Sequence, residues 1–287
     1  MEAALLIDRI RQWALQDPDK IAIIHNGSET SYGAFLTAID GASASISEAD
    51  LPAGTVAAIL IGNMVQAWLA ALAVRAAGLH SIAIKDIGQI ASLDIRDLSC
   101  VVTVRGEDML DRAPPPSGLR IVVLPGDFQR RVPVSGQRER DRSRPMGGHI
   151  LYTSGTTGSY KKVFIDPAFE ATRNQRRAED IGIRRDSIFN GVDFGLWTGA
   201  GFKQPSAAWH VGGTMVFDQR PDFIDHIFDH GVTGASLLPA MFRQLLSSPL
   251  AQRGAPAFPG VTLFASSGFL PLTLAEAVVR NLTPRLE

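Results

Sequence analysis

The sequence predicts an α/β fold of layered α-β-α sheets with mostly parallel strands. Short apolar runs alternate along the chain with longer helix-like segments, and this alternation is typical of β-α-β units. The runs are continuously apolar, as expected for strands of parallel sheets that helices cover on both faces. A chain of 287 residues, 45% of them hydrophobic, is long enough to bury a sizeable core.

The first predicted element is an amphipathic helix over residues 3–16. Leu6, Ile10 and Trp13 recur at helical spacing and define its apolar face. The dipeptide Asp17-Pro18 ends the helix, because the residue before a proline avoids the α region.

The next elements form a β-α-β unit. The apolar run Thr55–Ile61 predicts a buried strand, and the Ala- and Leu-rich stretch Gln66–Ala77 predicts a helix. Gly78 suits the left-handed position that follows a helix, before the strand predicted over Ser81–Lys85. Further strands are predicted over residues 100–104, 120–124 and 149–153.

An arginine-rich stretch over residues 129–144 separates the two halves of the chain. It is poor in apolar residues and indicates a solvated linker. A polyphosphate or nucleic-acid patch is the alternative, although no aromatic residues interleave to stack bases. We take the stretch as the boundary between a first α/β subdomain over 1–146 and a second, incomplete subdomain over 147–287.

The alternation resumes in the second subdomain. The predicted order is helix 167–180, strand 214–218, helix 221–230, strand 233–238, helix 239–247, strand 261–265 and helix 271–281. His226 and His230 lie four residues apart among aspartates. We interpret this segment as a solvated acidic helix face, because the His-Glu-x-x-His pattern of zinc hydrolases is absent from the sequence.

Composition and charge exclude several classes of protein. Lys and Arg total 28 against 29 for Asp and Glu, so the net charge of −1 provides no overall field for nucleic acid or anionic membranes. The only cysteine, Cys100, lies in an apolar run that predicts a buried, inert thiol. The acidic N-terminus is unlike a signal peptide, and the apolar runs are too short to span a bilayer. We therefore expect a cytoplasmic protein with no nucleic-acid or membrane partner.

The segment His149–Val163 carries the strongest chemical signal. A predicted strand leads into the loop Thr-Ser-Gly-Thr-Thr-Gly-Ser, and two lysines follow. Glycines allow a close backbone approach, hydroxyls add donors, and lysine adds positive charge, so the composition suits a polyphosphate. Gly155 and Gly158 are only three residues apart, which excludes the usual P-loop of kinases and GTPases.

Residues 152–158 resemble the signature loop of the adenylate-forming superfamily, which reads Thr-Ser-Gly-Thr-Thr-Gly-x-Pro-Lys-Gly. This superfamily includes acyl- and aryl-CoA ligases, peptide-synthetase adenylation domains and firefly luciferase. Other blocks of the family are similar to residues 17–35, 52–78, 210–217 and 232–239. The resemblance covers almost the whole chain and implies part of the large N-terminal domain of this fold.

The resemblance also assigns residues to roles. Lys161 would meet the β- and γ-phosphates as the catalytic lysine, and Asp193, Phe194 and Ser266 would contact the acid substrate. An amino acid is one hypothesis for that acid, with Asp193 pairing with its ammonium group; a solvated or capping aspartate is the alternative. Nucleotide-binding roles fall to Thr153, Ser154, Gly155, Thr156, Thr157, Gly158, Ser267 and Gly268. No metal ligand is named.

Three departures from the family pattern stand out. Tyr160 replaces a proline and Lys162 replaces a glycine, so a rigid and a permissive turn position are both lost. Ser266-Ser267-Gly268 stands where the family has Gly-Gly-Ala at the adenine and acyl pocket. The sequence also ends at Glu287, before the Tyr-Gly-x-Thr-Glu motif that the family pattern places next.

The implied activity is ATP- and Mg²⁺-dependent conversion of a carboxylic acid to an acyl-adenylate. The acid would be an amino, aryl or fatty acid, and the acyl acceptor would be coenzyme A or the phosphopantetheine of a carrier protein. We expect this chain to be the N-terminal part of such a ligase and inactive alone. The alternative is a nucleotide-binding or regulatory remnant of the same fold that has lost catalysis.

Overall fold

The structure is a computed structural model that describes residues 4–106, 118–130, 144–154, 160–192, 194–252 and 254–287. Its α-helices are α1 (Leu6–Gln16), α2 (Tyr32–Ser47), α3 (Met64–Ala76), α4 (Gln89–Leu93), α5 (Pro167–Asp180), α6 (Gly199–His210), α7 (Pro239–Ser247) and α8 (Leu272–Asn281). Its strands are β1 (Ile21–His25), β2 (Ser28–Ser31), β3 (Val56–Ile59), β4 (His80–Ala83), β5 (Leu98–Val104), β6 (Arg120–Leu124), β7 (His149–Ser154), β8 (Tyr160–Ile165), β9 (Ile188–Asn190), β10 (Thr214–Phe217), β11 (Gly234–Leu237) and β12 (Thr262–Ala265).

The strands form two sheets, which confirms the predicted layered α/β class. Sheet 1 has the order β6-β5-β3-β4-β7-β8, and sheet 2 has the order β12-β11-β9-β10-β1-β2. Neighbouring strands run parallel except in the hairpins β1–β2 and β7–β8. One hydrophobic cluster fills the space between the sheets and includes Ile59 of sheet 1, Phe217 of sheet 2 and Trp68 of α3.

The sheets do not follow the halves of the chain. Strands β7 and β8, from the predicted second subdomain, complete sheet 1, and β1 and β2, from the first, complete sheet 2. The division of the chain into two domains between residues 146 and 147 stays a prediction. Residues 131–143 of the arginine-rich stretch lie outside the described residues.

Helix α3 is the central helix of the core, with every residue from Met64 to Ala76 buried. The Asn63 side chain begins it by accepting a hydrogen bond of 3.0 Å from the Gln66 backbone N–H. Gly78 has φ +85° after the helix, as predicted for a left-handed cap. Cys100 is fully buried in β5, and burial raises the pKa of its thiol to about 11, as expected for an inert thiol.

The predicted helix over residues 221–230 is wrong. Two short 3₁₀ helices occur instead, over Phe223–His226 and Asp229–Gly231, and His230 has φ +62°. The His226 ring contacts the carboxylates of Asp222 at 3.3 Å and Asp229 at 2.8 Å. Contacts between residues three and four apart are compatible with a helix, so they do not explain the break. The positive φ values of His230 and Gly231, +62° and +74°, are what a continuous α-helix cannot contain.

Gly41 offers a simple test of helix α2. It lies in the middle of the helix, and an added Cβ would meet no atom within 4 Å. Gly41→Ala is expected to raise the free energy of unfolding by about 0.5–1 kcal/mol, because alanine has the higher helix propensity. Gly27→Ala is the control: its site is equally open, but φ is +82°, so this change should destabilise. Urea unfolding measures both, and a lower midpoint for Gly41→Ala would contradict the prediction.

Candidate functional site

The predicted phosphate loop connects the strands of a β-hairpin. Strand β7 pairs antiparallel with β8, and the register places Thr153 opposite Lys161 and Ser154 opposite Tyr160. The sequence predicted the strand before the loop but not the strand after it. The predicted loop residues Gly155, Thr156, Thr157 and Gly158 lie outside the described residues.

The two lysines after the loop lie on opposite faces of the hairpin, because successive residues of a strand alternate. Lys162 donates from Nζ to the carbonyl oxygens of Leu93, at 2.6 Å, and Asp94, at 2.5 Å, at the end of helix α4. Lys161 is exposed on the other face. Lys162 therefore anchors the hairpin to α4, and Lys161 is the lysine that remains accessible beside the loop.

Tyr160 fills the position of the family's proline with an aromatic contact. Its ring packs edge-on against Tyr152, with the ring centroids 5.3 Å apart. The Tyr152 hydroxyl donates to Oε1 of Gln89 at 3.1 Å, and the same oxygen accepts the Lys85 backbone N–H at 2.8 Å. Burial raises the pKa of Tyr152 well above its usual range, so this phenol stays protonated. The end of the hairpin is thus held against the segment after β4.

Two of the three predicted acid-binding residues, Asp193 and Phe194, follow β9 in a segment that leads directly into helix α6. Asp193 lies outside the described residues, and Phe194 is half-buried. Asn190, buried at the end of β9, accepts the Val192 backbone N–H at 2.9 Å and donates to the Ile227 carbonyl at 3.1 Å. Thr198 caps α6 by accepting the Gly201 backbone N–H at 3.0 Å.

This segment lies at a topological switch point of sheet 2. Helix α6, which follows β9, packs in the core between the sheets, whereas α7, which follows the neighbouring strand β11, packs on the opposite face. Ligands of open α/β sheets bind where such helices diverge, beyond the carboxyl ends of the strands. The topology therefore marks the ends of β9 and β11 as a ligand crevice.

The segment Ser266–Gly268 follows β12 at the same edge of sheet 2. The Ser266 backbone N–H donates to the Leu237 carbonyl at 2.8 Å, which joins the ends of β12 and β11. Ser267 is exposed with φ +53°, a conformation that favours glycine, which is the residue that the family pattern has at this position. The fold thus brings Ser266 and the Phe194 segment to the ends of β12 and β9, two strands that are separated only by β11.

His149 connects the strand of the phosphate loop to the segment after β9. Its ring is fully buried; Nδ1 lies 2.8 Å from the Ser81 hydroxyl and Nε2 lies 3.1 Å from the Leu196 carbonyl oxygen. Burial, with a smaller effect of Arg75, lowers the pKa of His149 to about 3, so the imidazole is neutral. The sequence analysis assigned no role to His149. The one feature that could have indicated it is a polar residue at the start of a predicted apolar strand.

Trp197 is a second residue that sequence reasoning did not select. Its backbone carbonyl accepts the Tyr152 N–H at 3.4 Å, and the Lys85 ammonium lies 4.8 Å from the centre of its ring. A cation at this distance from an indole is attracted by the ring face. Lys85 follows β4, whose carboxyl end lies beside β7, so a positive charge lies at the edge where the phosphate loop begins.

Comparison with known proteins identifies the family. A family model described as AMP-binding enzyme matches residues 10–286. The chain belongs to this family. The predicted resemblance to adenylate-forming enzymes is therefore confirmed, together with the fold class.

Individual relatives of the AMP-binding family are distant. Nonribosomal peptide synthetase agiA of Aspergillus flavus is 27% identical over 266 residues, which cover 85% of this chain and 3% of the synthetase. The solved structure of VinN with L-aspartate has a TM-score of 0.81 at 16% identity, covering 100% of this chain and 75% of VinN. Bacillus subtilis o-succinylbenzoate CoA synthetase with its acyl-adenylate intermediate has a TM-score of 0.74 at 19% identity, covering 94% and 55%.

Two further features of the described residues concern membrane spans and metal ligands. No helix there has the length and apolar character needed to cross a bilayer. The same residues contain no group of three or more His, Cys, Asp or Glu side chains arranged to hold a metal ion.

Proposed function

We propose that this chain is part of an enzyme that activates a carboxylic acid with ATP. The hairpin β7–β8 supports the proposal most directly, because it sets Thr153 opposite the exposed Lys161 at the edge of sheet 1, immediately before the loop. A carboxylate oxygen of the acid attacks the α-phosphorus of ATP. The bond to the pyrophosphate oxygen breaks, and the products are an acyl-adenylate and pyrophosphate.

Each residue type suits this reaction. Charge develops on phosphate oxygens in the transition state, so catalysis requires positioning and fixed positive potential more than covalent chemistry. Lys161 supplies charge to the β- and γ-phosphates, while the hydroxyls of Thr153, Ser154, Thr156 and Thr157 act as donors. Gly155 and Gly158 let the backbone approach the phosphates. Mg²⁺, when bound with ATP, would neutralise part of the phosphate charge.

The acid site lies in the crevice at the ends of β9, β11 and β12 in this proposal. Phe194 and Ser266 would contact the acid, Ser267 and Gly268 the nucleotide, and Asp193 an ammonium group if the acid is an amino acid. The relationship to a nonribosomal peptide synthetase favours an amino acid. A charge-assisted contact inside a crevice is stronger than the same contact in water.

The thiol of coenzyme A or of a carrier protein then attacks the acyl carbonyl, which forms a thioester and releases AMP. We expect this enzyme to be cytoplasmic. A panel of amino, aryl and fatty acids in ATP–pyrophosphate exchange, performed with the full-length protein, tests the activity and the class of acid. Exchange with amino acids is the expected result. Exchange with fatty or aryl acids alone would exclude the amino-acid proposal, and no exchange with any acid would favour the regulatory remnant.

Lys161→Ala should reduce pyrophosphate exchange by at least about tenfold, because one preorganised positive charge is lost from the phosphates. Lys162→Met is the matched control. This neighbouring lysine is bonded to the carbonyls of Leu93 and Asp94 on the other face, so its loss should lower stability and leave the KM for ATP near the wild-type value. Wild-type exchange in Lys161→Ala would remove this residue from the phosphate site.

A further inference from the structure

One strand supports both halves of the proposed site. Strand β7 pairs with β4 only at Ser81–His149 and Ile82–Ile150. Beyond this point the Tyr152 backbone N–H donates to the Trp197 carbonyl instead, at 3.4 Å. The strand that carries the phosphate loop is therefore joined along this side to residues 194–198, which we call the acid segment.

His149 makes the second link between β7 and the acid segment. A carbonyl oxygen can only accept a hydrogen bond, so the Leu196 carbonyl fixes the proton on Nε2, and Nδ1 accepts from the Ser81 hydroxyl. The imidazole also stacks on Phe202, with centroids 4.3 Å apart and planes inclined by 6°. One buried ring thus contacts β4, the acid segment and the first turns of α6.

The acid segment has little room to move against α6. A Cβ on Gly201 would lie 2.0 Å from the Phe194 carbonyl oxygen and 2.3 Å from that of Gly195, so the two backbones are in close contact. Thr198 also donates from its hydroxyl to the Gly195 carbonyl at 2.9 Å. Because the acid segment is packed closely against α6, a displacement of β7 would act on that segment through the hydrogen bond of His149 to Leu196.

We propose that His149 is a positioning residue that couples the phosphate loop to the acid segment, so that nucleotide and acid bind cooperatively. The proposal rests on the function proposed above, since it names the two ligands of that site. A nucleotide that fixes the end of β7 also fixes the Leu196 carbonyl and orders the acid segment. By linkage, the acid strengthens nucleotide binding by the same factor.

The test measures the Kd of the acid in the full-length protein, with and without a non-hydrolysable ATP analogue. The acid is the best substrate of the exchange panel. In the wild type the analogue should tighten acid binding by about tenfold, a typical coupling between two sites. His149→Gln, whose amide nitrogen reaches the position of Nε2, should retain most of this factor. His149→Asn, whose shorter side chain reaches only Ser81, should reduce the factor to near one.

His210→Asn is the control for loss of a buried histidine. His210 is also buried in this core, and its described contacts do not include the acid segment; its replacement should leave the coupling factor unchanged. Hydrogen exchange at the Tyr152 and Thr198 amides is the second measurement, since it needs no ligand. Both amides should exchange faster in His149→Asn than in His149→Gln. If His149→Asn does not fold, Ser81→Ala, which releases Nδ1, should lower the coupling factor in its place.

The outcomes separate this inference from the proposed function. A wild type that binds neither ligand would refute the proposed function, and hydrogen exchange alone would then decide whether His149 holds the acid segment. A wild type that binds both ligands independently would overturn the inference and leave the function intact. Equal coupling in the Gln and Asn variants, or equal losses in His149→Asn and His210→Asn, would also overturn it.

Discussion

Glu170→Gln should lower the free energy of unfolding by about 3–5 kcal/mol, the cost of leaving a buried charge without its partner. Glu170 of α5 and Arg75 of α3 form an ion pair in which both side chains are almost completely buried. The Arg75 Nε–H also donates to the Gly147 carbonyl at 2.9 Å, immediately before β7. The neutral amide would leave the Arg75 guanidinium uncompensated in the core, and urea unfolding measures the effect.

The control for Glu170 lies on the same helix. Asp180 is 3.9 Å from Arg176, and both side chains are largely exposed. Asp180→Ala should therefore change the free energy of unfolding by less than about 1 kcal/mol. Replacing Arg75 and Glu170 together by methionine should recover part of the loss, because neither charge then remains buried. Equal unfolding midpoints for Glu170→Gln and the wild type would show that the pair contributes no stability.

Gly201→Ala should both destabilise the protein and weaken acid binding. The added Cβ would overlap the carbonyl oxygens of Phe194 and Gly195. These oxygens are backbone atoms, so no flexible side chain can move aside to relieve the overlap. Overpacking of this kind costs typically about 1–3 kcal/mol. Because the displaced carbonyls belong to the acid segment, the KM for the acid should rise more than the KM for ATP.

Gly199→Ala is the matched change in the same helical turn. Its nearest neighbour is the Lys203 side chain, with Nζ at 3.8 Å, an ordinary contact. This variant should keep wild-type stability and both KM values. Unfolding curves and pyrophosphate-exchange kinetics on the two variants provide the measurement. Equal stabilities and equal KM values for the two variants would show that the acid segment does not pack against α6 at Gly201.

Much of the secondary structure could be predicted because the signals are local. Helices α5 and α7 and strand β6 have the predicted bounds, and proline begins both helices. The helix predicted over residues 221–230 was wrong because the backbone at His230 and Gly231 has positive φ values, which leave only two short 3₁₀ helices. Strands β8 and β2 were not predicted. Both are edge strands paired in hairpins. Strand β2 contains no apolar residue and β8 begins with Tyr-Lys-Lys, so neither is the continuous apolar run of a buried strand.

Candidate site residues could be predicted from the sequence only where they form a motif. The phosphate loop is recognisable because its glycines and hydroxyls are consecutive. Arg75 and Glu170 are 95 residues apart, and each resembles an ordinary helix charge. Arg75, the single charged residue of helix α3, was the one local sign of a buried pair. His149 and Leu196 likewise meet only after the two sheets have formed.

The sequence by itself determined the alternation of strands and helices, the phosphate loop and the family, because these depend on neighbouring residues and their spacing. Only the tertiary structure decided which half of the chain completes each sheet, which of the two lysines faces away from α4, and that β7 contacts the acid segment. Those features depend on the pairing of distant strands and on the burial of His149, Arg75 and Glu170. Long-range packing determines these features, and no local sequence pattern encodes that packing.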